Sequence, residues 1–172
     1  MRALKRPAVY ILSLAVLTFS AGGAAAHEWS TYVNSSYGVR LSYPSSVFDF
    51  ERASARGDGE IYRSRDGDAQ LLIGVVPNSE GLSPRSYQRS LAHNSYPGAE
   101  IDYAPVGNNW TVLSGERGPT MFYEKVFFRC QGAMIGSFAM LYPVAERATY
   151  DPIIERMEDS FRIGSEACSQ LE

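Results

Sequence analysis

Apolar and polar residues alternate along several stretches of the chain, with the period of a β-strand that has one buried face. Residues 38–43 follow this pattern until Pro44, and residues 47–50 continue as a short extended piece. Residues 60–64 and 69–76 flank an Asp-Gly pair, which predicts a hairpin because glycine adopts the positive φ of a tight turn at no steric cost. The second of these runs is apolar on both faces, which predicts a central strand.

The longest predicted strands cover residues 121–130 and 133–142, and the first of them is dense in aromatic and β-branched residues. One face of the first stretch carries Phe122, Val126 and Phe128, and the other carries Tyr123, Lys125, Phe127 and Arg129. Gln131-Gly132 is a turn candidate, and so short a connection predicts an antiparallel pair. Two shorter strands are predicted over residues 101–103 and 110–114.

The first predicted helix begins at Ser83-Pro84, where a capping residue precedes proline. Tyr87 and Leu91 lie four residues apart and therefore share one face of this helix. A Pro-Gly pair follows a few residues later, so we expect the helix to end near Asn94.

The second predicted helix begins in the same way, at Asp151-Pro152, and ends at Gly164. Its core-facing stripe is predicted to be Ile154, Met157 and Phe161. Glu158 and Arg162 are spaced as a favourable i,i+4 ion pair. The order of strands, helix, strands, helix with short hairpins predicts an α+β fold, an antiparallel β-sheet packed with helices.

The first 26 residues have the layout of a secretory signal peptide. Arg2, Lys5 and Arg6 precede an apolar run over residues 9–19, and residues 24–26 are alanines that suit a signal peptidase. This run is shorter than the roughly 20 apolar residues of a membrane span. We therefore expect cleavage after Ala26, a single mature α+β domain of residues 27–172, no stable membrane span afterwards, and a periplasmic or secreted location.

Export would change the charge and the redox state of the chain. Loss of the three basic residues of the signal changes the formal charge from −3 to −6, which makes nucleic acid and anionic membranes poor partners. An oxidising compartment favours a disulfide between the only two cysteines, Cys130 and Cys168. Two free thiols are the alternative.

Short motifs resemble one family of exported proteins. Tyr37-Gly38-Val39 with Ser42-Tyr43-Pro44 is similar to the opening strand of PsbP-like domains, a group that includes the bacterial DcrB-like proteins. The long strand pair and a last helix that closes on residues 160–162 resemble them in order. The resemblance implies an α/β/α sandwich that acts as a non-catalytic binding or assembly accessory, and it transfers no site residue.

The histidines offer one enzymatic alternative. Cleavage after Ala26 would make His27 the first residue, whose amine and ring nitrogen could hold copper together with His93, as in the copper brace of the lytic polysaccharide monooxygenases. The simpler interpretation is that both histidines are ordinary exposed residues, and it predicts no metal and no cofactor. A hydrolase would need a serine and an acid beside His93, the only interior base.

The sequence contains more aromatic residues than a core of this size needs, and tyrosine and tryptophan are favoured at interfaces. We therefore expect an interface at the start of the mature chain, formed by Trp29, Tyr32 and Tyr37. No catalytic signature accompanies these residues. The sequence predicts a non-catalytic binding or accessory module of the cell envelope, with a protein or small-ligand partner.

Overall fold

The computed structural model describes residues 27–171 and contains ten strands and two α-helices. The predicted signal peptide lies outside the described residues. The strands are β1 Trp29–Asn34, β2 Val39–Pro44, β3 Phe48–Ala53, β4 Gly59–Ser64, β5 Gln70–Pro77, β6 Glu100–Tyr103, β7 Trp110–Arg117, β8 Thr120–Arg129, β9 Met134–Pro143 and β10 Arg162–Ile163. The helices are α1 Pro84–Asn94 and α2 Arg147–Ser160, and three short 3₁₀ segments cover Cys130–Gly132, Val144–Glu146 and Ser165–Leu171.

The strands form two antiparallel sheets. The large sheet has seven strands in the order β3-β4-β5-β9-β8-β7-β6, and the small sheet has three in the order β1-β2-β10. Helix α1 packs on one face of the large sheet, and α2 and the small sheet cover the other face. This arrangement is the predicted α+β fold, an antiparallel sheet with helices packed on it.

The alternation in β8 divides the molecule into two cores. Phe122, Val126 and Phe128 are buried beneath α1, as their shared face predicts. Met121 and Phe127 point the other way and pack with α2 and the small sheet. We refer to these two sides of the large sheet as the α1 face and the α2 face.

Both edges of the large sheet are irregular. A bulge in β3, between Phe50 and Arg52, leaves Glu51 without a backbone register partner on β4. A second bulge, in β6, leaves Asp102 without a partner on β7. Such extra residues bend the strand and interrupt its hydrogen-bond ladder.

Helix α2 begins earlier than the sequence predicted. It starts at Arg147, directly after a 3₁₀ turn, so Pro152 lies inside the helix. Asp151 does not cap it, because its carboxylate accepts hydrogen bonds from Tyr142 Oη at 3.0 Å and from Arg147 Nε at 3.3 Å. The core-facing stripe is confirmed, since Ile154 and Met157 are buried, as is Phe161 just after the helix end.

The predicted pair of Glu158 with Arg162 is wrong. Arg162 lies in β10, where its side chain donates to a backbone carbonyl, while Glu158 points at the large sheet. Lys125 Nζ donates to Glu158 Oε1 at 2.5 Å, and Tyr123 Oη donates to Oε2 at 2.6 Å. The tertiary partner on β8 thus replaces the local one, because the helix ends at Ser160.

Candidate functional site

Helix α1 covers only part of the α1 face. The helix packs over β7 and β8, so the adjoining surface of β3, β4 and β5 stays uncovered. A cleft of about 580 Å³ opens between the helix and this surface. Its apolar lining includes Ile61, Leu72, Leu91, Ala139 and Leu141. Concave sites with apolar walls and a few polar groups are the usual form of a binding site.

The helix is fixed firmly beside the cleft. Ser83 caps α1 by accepting a hydrogen bond from the backbone of Ser86 at 3.2 Å. The buried amide of Gln88 donates to Thr111 Oγ1 and to the carbonyl of Val112, both at 2.7 Å. These bonds tie the helix to β7, so the cleft wall is preformed.

A buried carboxylate lies at the floor of this cleft. Glu124 of β8 is only 7 % exposed, although it occupies the same face as Phe122 and Val126. Tyr96 Oη donates to Glu124 Oε2 at 2.8 Å, and the Tyr96 ring stacks on Phe122 with centroids 3.8 Å apart. Burial raises the pKa of Glu124, and the hydrogen bonds from Tyr96 and Ser137 oppose that rise only in part.

No cation pairs with Glu124 among residues 27–171, which separates it from the other buried charge of β8. An ionised carboxylate in an apolar cleft binds a donor or a cation more tightly than it would in water. The floor of the cleft can therefore orient a ligand group that donates a hydrogen bond, while the apolar walls hold its apolar part.

The sequence contains a signal for this site that composition alone does not reveal. Position 124 falls between Phe122 and Val126 on a face predicted to be buried. An acid at such a position is costly unless it is paired, and buried acids are therefore good candidates for function. The cleft itself could not be predicted, since it depends on how far α1 extends over the sheet.

The two histidines lie in different layers of the molecule. His27 precedes β1, on the side of the small sheet, and its Nδ1 is 3.3 Å from Ser46 Oγ. His93 is exposed near the end of α1, on the α1 face. Its ring makes no hydrogen bond with a described residue, and residues 27–171 contain no group of three or more histidine, cysteine or acidic side chains placed to hold a metal. The two histidines of the predicted copper brace therefore lie on opposite sides of the large sheet, and no described serine or acid forms a hydrogen bond with His93.

The three aromatic residues of the predicted interface belong to the small-sheet side. Tyr32 is 6 % exposed and lies in the core, whereas Trp29 and Tyr37 are half-buried against it. The Trp29 ring is covered by the guanidinium of Arg156 at 4.0 Å. An interface at this end would thus rely on Trp29 and Tyr37.

The predicted disulfide is present. Cys130 and Cys168 are bonded, with their Cα atoms 5.3 Å apart. The bond fixes the C-terminal 3₁₀ segment against the end of β8, where a turn with positive φ at Cys130, Gln131 and Gly132 leads into β9. Among the described residues, no helix is both long enough and apolar enough to cross a membrane.

Neither a protein-family model nor a curated protein matches the sequence. Solved structures with the same fold do match. The chain is similar to cyanobacterial PsbP (CyanoP) from Synechocystis sp. PCC 6803, with a TM-score of 0.60 and 13 % identity over 86 % of this chain and 99 % of that one. The Ran-binding protein Mog1p of Saccharomyces cerevisiae gives a TM-score of 0.60 and 9 % identity over 80 % and 96 %.

LpqN of Mycobacterium tuberculosis, described as involved in cell envelope biogenesis, gives a TM-score of 0.51 and 14 % identity over 79 % of this chain and 90 % of that one. These proteins share a PsbP-like fold, and the protein described here has that fold as well. The resemblance noted in the short sequence motifs is thereby confirmed at the level of the fold. At such low identity, the likeness carries no site residue.

Proposed function

We propose that this protein is a non-catalytic accessory module of the cell envelope, exported by residues 1–26, that binds a protein partner through the cleft beside α1. The fold supports this proposal, because a Ran-binding protein and a protein involved in envelope biogenesis share it. The disulfide is compatible with an oxidising compartment.

The observation that carries the proposal is Glu124. A stable fold gains nothing from a buried carboxylate that lacks a cation, because desolvation of the charge costs several kcal/mol by the order of magnitude known for buried ions. Glu124 nevertheless lies at the floor of the apolar cleft beside α1. A partner that supplies a donor to this carboxylate would offset that cost.

The chemistry of the cleft defines the partner segment. Its walls at Ile61, Leu72 and Leu141 suit an apolar side chain. Its floor suits a neighbouring hydroxyl, amide or ammonium group that donates to Glu124. The partner segment should therefore combine an apolar anchor with one hydrogen-bond donor.

Site-specific photo-crosslinking in the native host tests this proposal. A photoreactive residue in place of Leu72 should yield one discrete adduct, which mass spectrometry identifies. The same residue in place of Asp159, exposed on α2, is the matched control and should not yield that adduct. Glu124→Gln should reduce the adduct at position 72. Equal adducts from both positions, or none from position 72, would contradict the proposal.

The mass of the mature protein tests export separately. Cell fractionation should recover the chain outside the cytoplasm, with an intact mass that begins at His27 and corresponds to one disulfide. A protein that keeps residues 1–26, or that stays in the cytoplasm with two free thiols, would contradict the envelope location whatever the crosslinking shows.

A further inference from the structure

A second cleft, on the outer side of the small sheet, is lined by three arginines. Arg40 of β2, Arg129 at the end of β8 and Arg162 of β10 surround a cavity of about 290 Å³. Glu166 is the one carboxylate in its lining. The cleft therefore concentrates positive charge in a chain whose overall charge is negative.

Two of these arginines oppose each other across a strand pair. Arg40 and Arg162 are direct register partners of β2 and β10, and both are exposed because their neighbours Val39 and Ile163 point into the core. Like charges in directly opposite positions destabilise a strand pair. The fold tolerates this repulsion, although an uncharged polar residue in place of either Arg40 or Arg162 would remove it.

The third arginine has an unsatisfied nitrogen. Arg129 Nε is buried and lacks a hydrogen-bond partner, and no other buried side-chain nitrogen or oxygen does so among the residues that the structure describes. The Arg40 guanidinium also makes no hydrogen bond or ion pair with a described residue, and Arg162 donates only to the carbonyl of Phe161. A buried donor without a partner is costly, and Arg129 lies in the lining of the cleft.

Glu166 does not neutralise these guanidinium groups. Its carboxylate lies more than 4.0 Å from every arginine nitrogen and packs against the backbone of Gly38 and Gly164, where a side chain at either position would collide with it. Gly38 also has φ of +63°, which favours glycine. Three cations and one acid in the lining leave the cleft with an excess of positive charge.

We propose that this cleft binds a doubly charged oxyanion group of the phosphate type. Guanidinium groups present paired donors that match the oxygens of such a group, and they cannot lose their charge. An oxyanion between Arg40 and Arg162 would relieve their repulsion and would lie in the lining that Arg129 shares. The disulfide at Cys130 and Cys168 holds two walls of the cleft together, beside Arg129 and Glu166.

Calorimetric titration with inorganic phosphate, at constant ionic strength set with chloride, tests the site. The full mature protein should bind one phosphate, and Arg129→Gln and Arg162→Gln should each weaken the affinity at least about tenfold. Arg85→Gln removes an exposed, unpaired arginine from α1 and should leave the affinity unchanged. Equal losses in all three variants would overturn the proposal, and so would the absence of phosphate binding up to about 10 mM together with the absence of vesicle binding in the arm described below.

Thermal unfolding separates loss of the site from loss of the fold. Without phosphate, Arg162→Gln should melt at or above the temperature of the natural protein, because the repulsion with Arg40 is removed. Phosphate should then raise the melting temperature of the natural protein but not that of the variant. A variant that melts lower without phosphate and responds to phosphate normally would also contradict the assignment.

A vesicle-binding experiment distinguishes a lipid headgroup from a soluble phosphate ligand. Co-sedimentation with phosphatidic acid vesicles, lost in Arg162→Gln and absent with phosphatidylcholine, would assign the group to a lipid headgroup. Binding of free phosphate without vesicle binding would assign it to a soluble ligand. Either result supports the oxyanion site, and failure of both arms overturns it.

Discussion

Glu124 and Lys125 are neighbours on β8, and each is 7 % exposed. Their side chains point to opposite faces of the large sheet, where they make different kinds of contact. On the α2 face, Lys125 has an ion-pair partner in Glu158 and lies 4.3 Å from the Trp110 ring centroid. On the α1 face, Glu124 accepts hydrogen bonds only from the hydroxyl groups of Tyr96 and Ser137. Lys125 thus has a carboxylate partner within the chain, whereas Glu124 has no cationic partner among residues 27–171.

The same contrast holds for the two cores. The α2 face is closed by α2, the small sheet and the disulfide-linked tail. The α1 face is closed by one helix over a smaller cluster, and the cleft occupies the rest. The difference indicates that the α2 face carries the larger core, while part of the α1 face stays open.

Removal of the disulfide should give the largest effect if the α2 face holds the fold. Cys130→Ser with Cys168→Ser opens a loop of 38 residues, which is worth about 4 kcal/mol in the chain-entropy account. Ala167, which this loop holds in the core, would lose its anchor. Urea unfolding should show this loss, and reduction of the natural protein should reproduce it. A loss below about 1 kcal/mol would indicate that packing alone fixes the tail.

Leu71 and Leu72 offer a direct comparison of the two faces, because they are adjacent and of the same type. Leu71 is fully buried on the α2 face, whereas Leu72 is half-buried in the cleft. Leu71→Ala should cost about 3 kcal/mol, and Leu72→Ala about 1 kcal/mol, since the second leaves no closed cavity. The midpoints of urea unfolding measure both, and equal losses would refute the contrast between the faces.

Glu158→Gln tests the ion pair of the buried Lys125. The substitution leaves Lys125 buried without its anion, and we expect a loss of about 2 kcal/mol, below the usual cost of breaking a buried pair because the Glu158 side chain is 35 % exposed. Arg147→Gln is the control, because its three acidic partners form an exposed network worth less than about 1 kcal/mol. A control effect as large as that of Glu158→Gln would show that burial is unimportant here.

Glu124→Gln tests how the buried Glu124 carboxyl group makes folding stability depend on pH. The pKa of Glu124 is raised in the folded state, so the folded protein binds the proton more tightly than the unfolded chain does. Stability should therefore decline as pH rises from about 4.5 through the raised pKa, with a slope of at most about 1.4 kcal/mol per unit. The variant should lack this decline. Parallel pH profiles of the two proteins would show that Glu124 stays ionised without cost.

Local patterns predicted most of the fold. Alternation in β8 assigned the correct residues to each face, and Ser83-Pro84 located the start of α1. The start of α2 was missed, because Asp151 is occupied by Tyr142 and Arg147 instead of capping the helix. Strand β1 was missed because its pairing with β2 is tertiary, and residues 29–34 lack a clear alternation of their own.

The candidate sites were harder to predict than the fold. Glu124 carried a readable signal, an acid between two core positions of one strand. The arginine cleft carried none, since Arg40, Arg129 and Arg162 are far apart in sequence and are brought together by the pairing of β10 with β2 and by the disulfide. Contacts of that kind depend on topology, which local spacing does not encode.

The two edge bulges have a consequence for behaviour at high concentration. The unpaired residue in each bulge is an acid, Glu51 at one edge and Asp102 at the other. A second molecule that tried to extend the sheet into a fibre would meet an interrupted hydrogen-bond ladder at either edge. Deleting Glu51 or Asp102 would straighten that edge, and seeded growth of fibrils is the failure we would then expect.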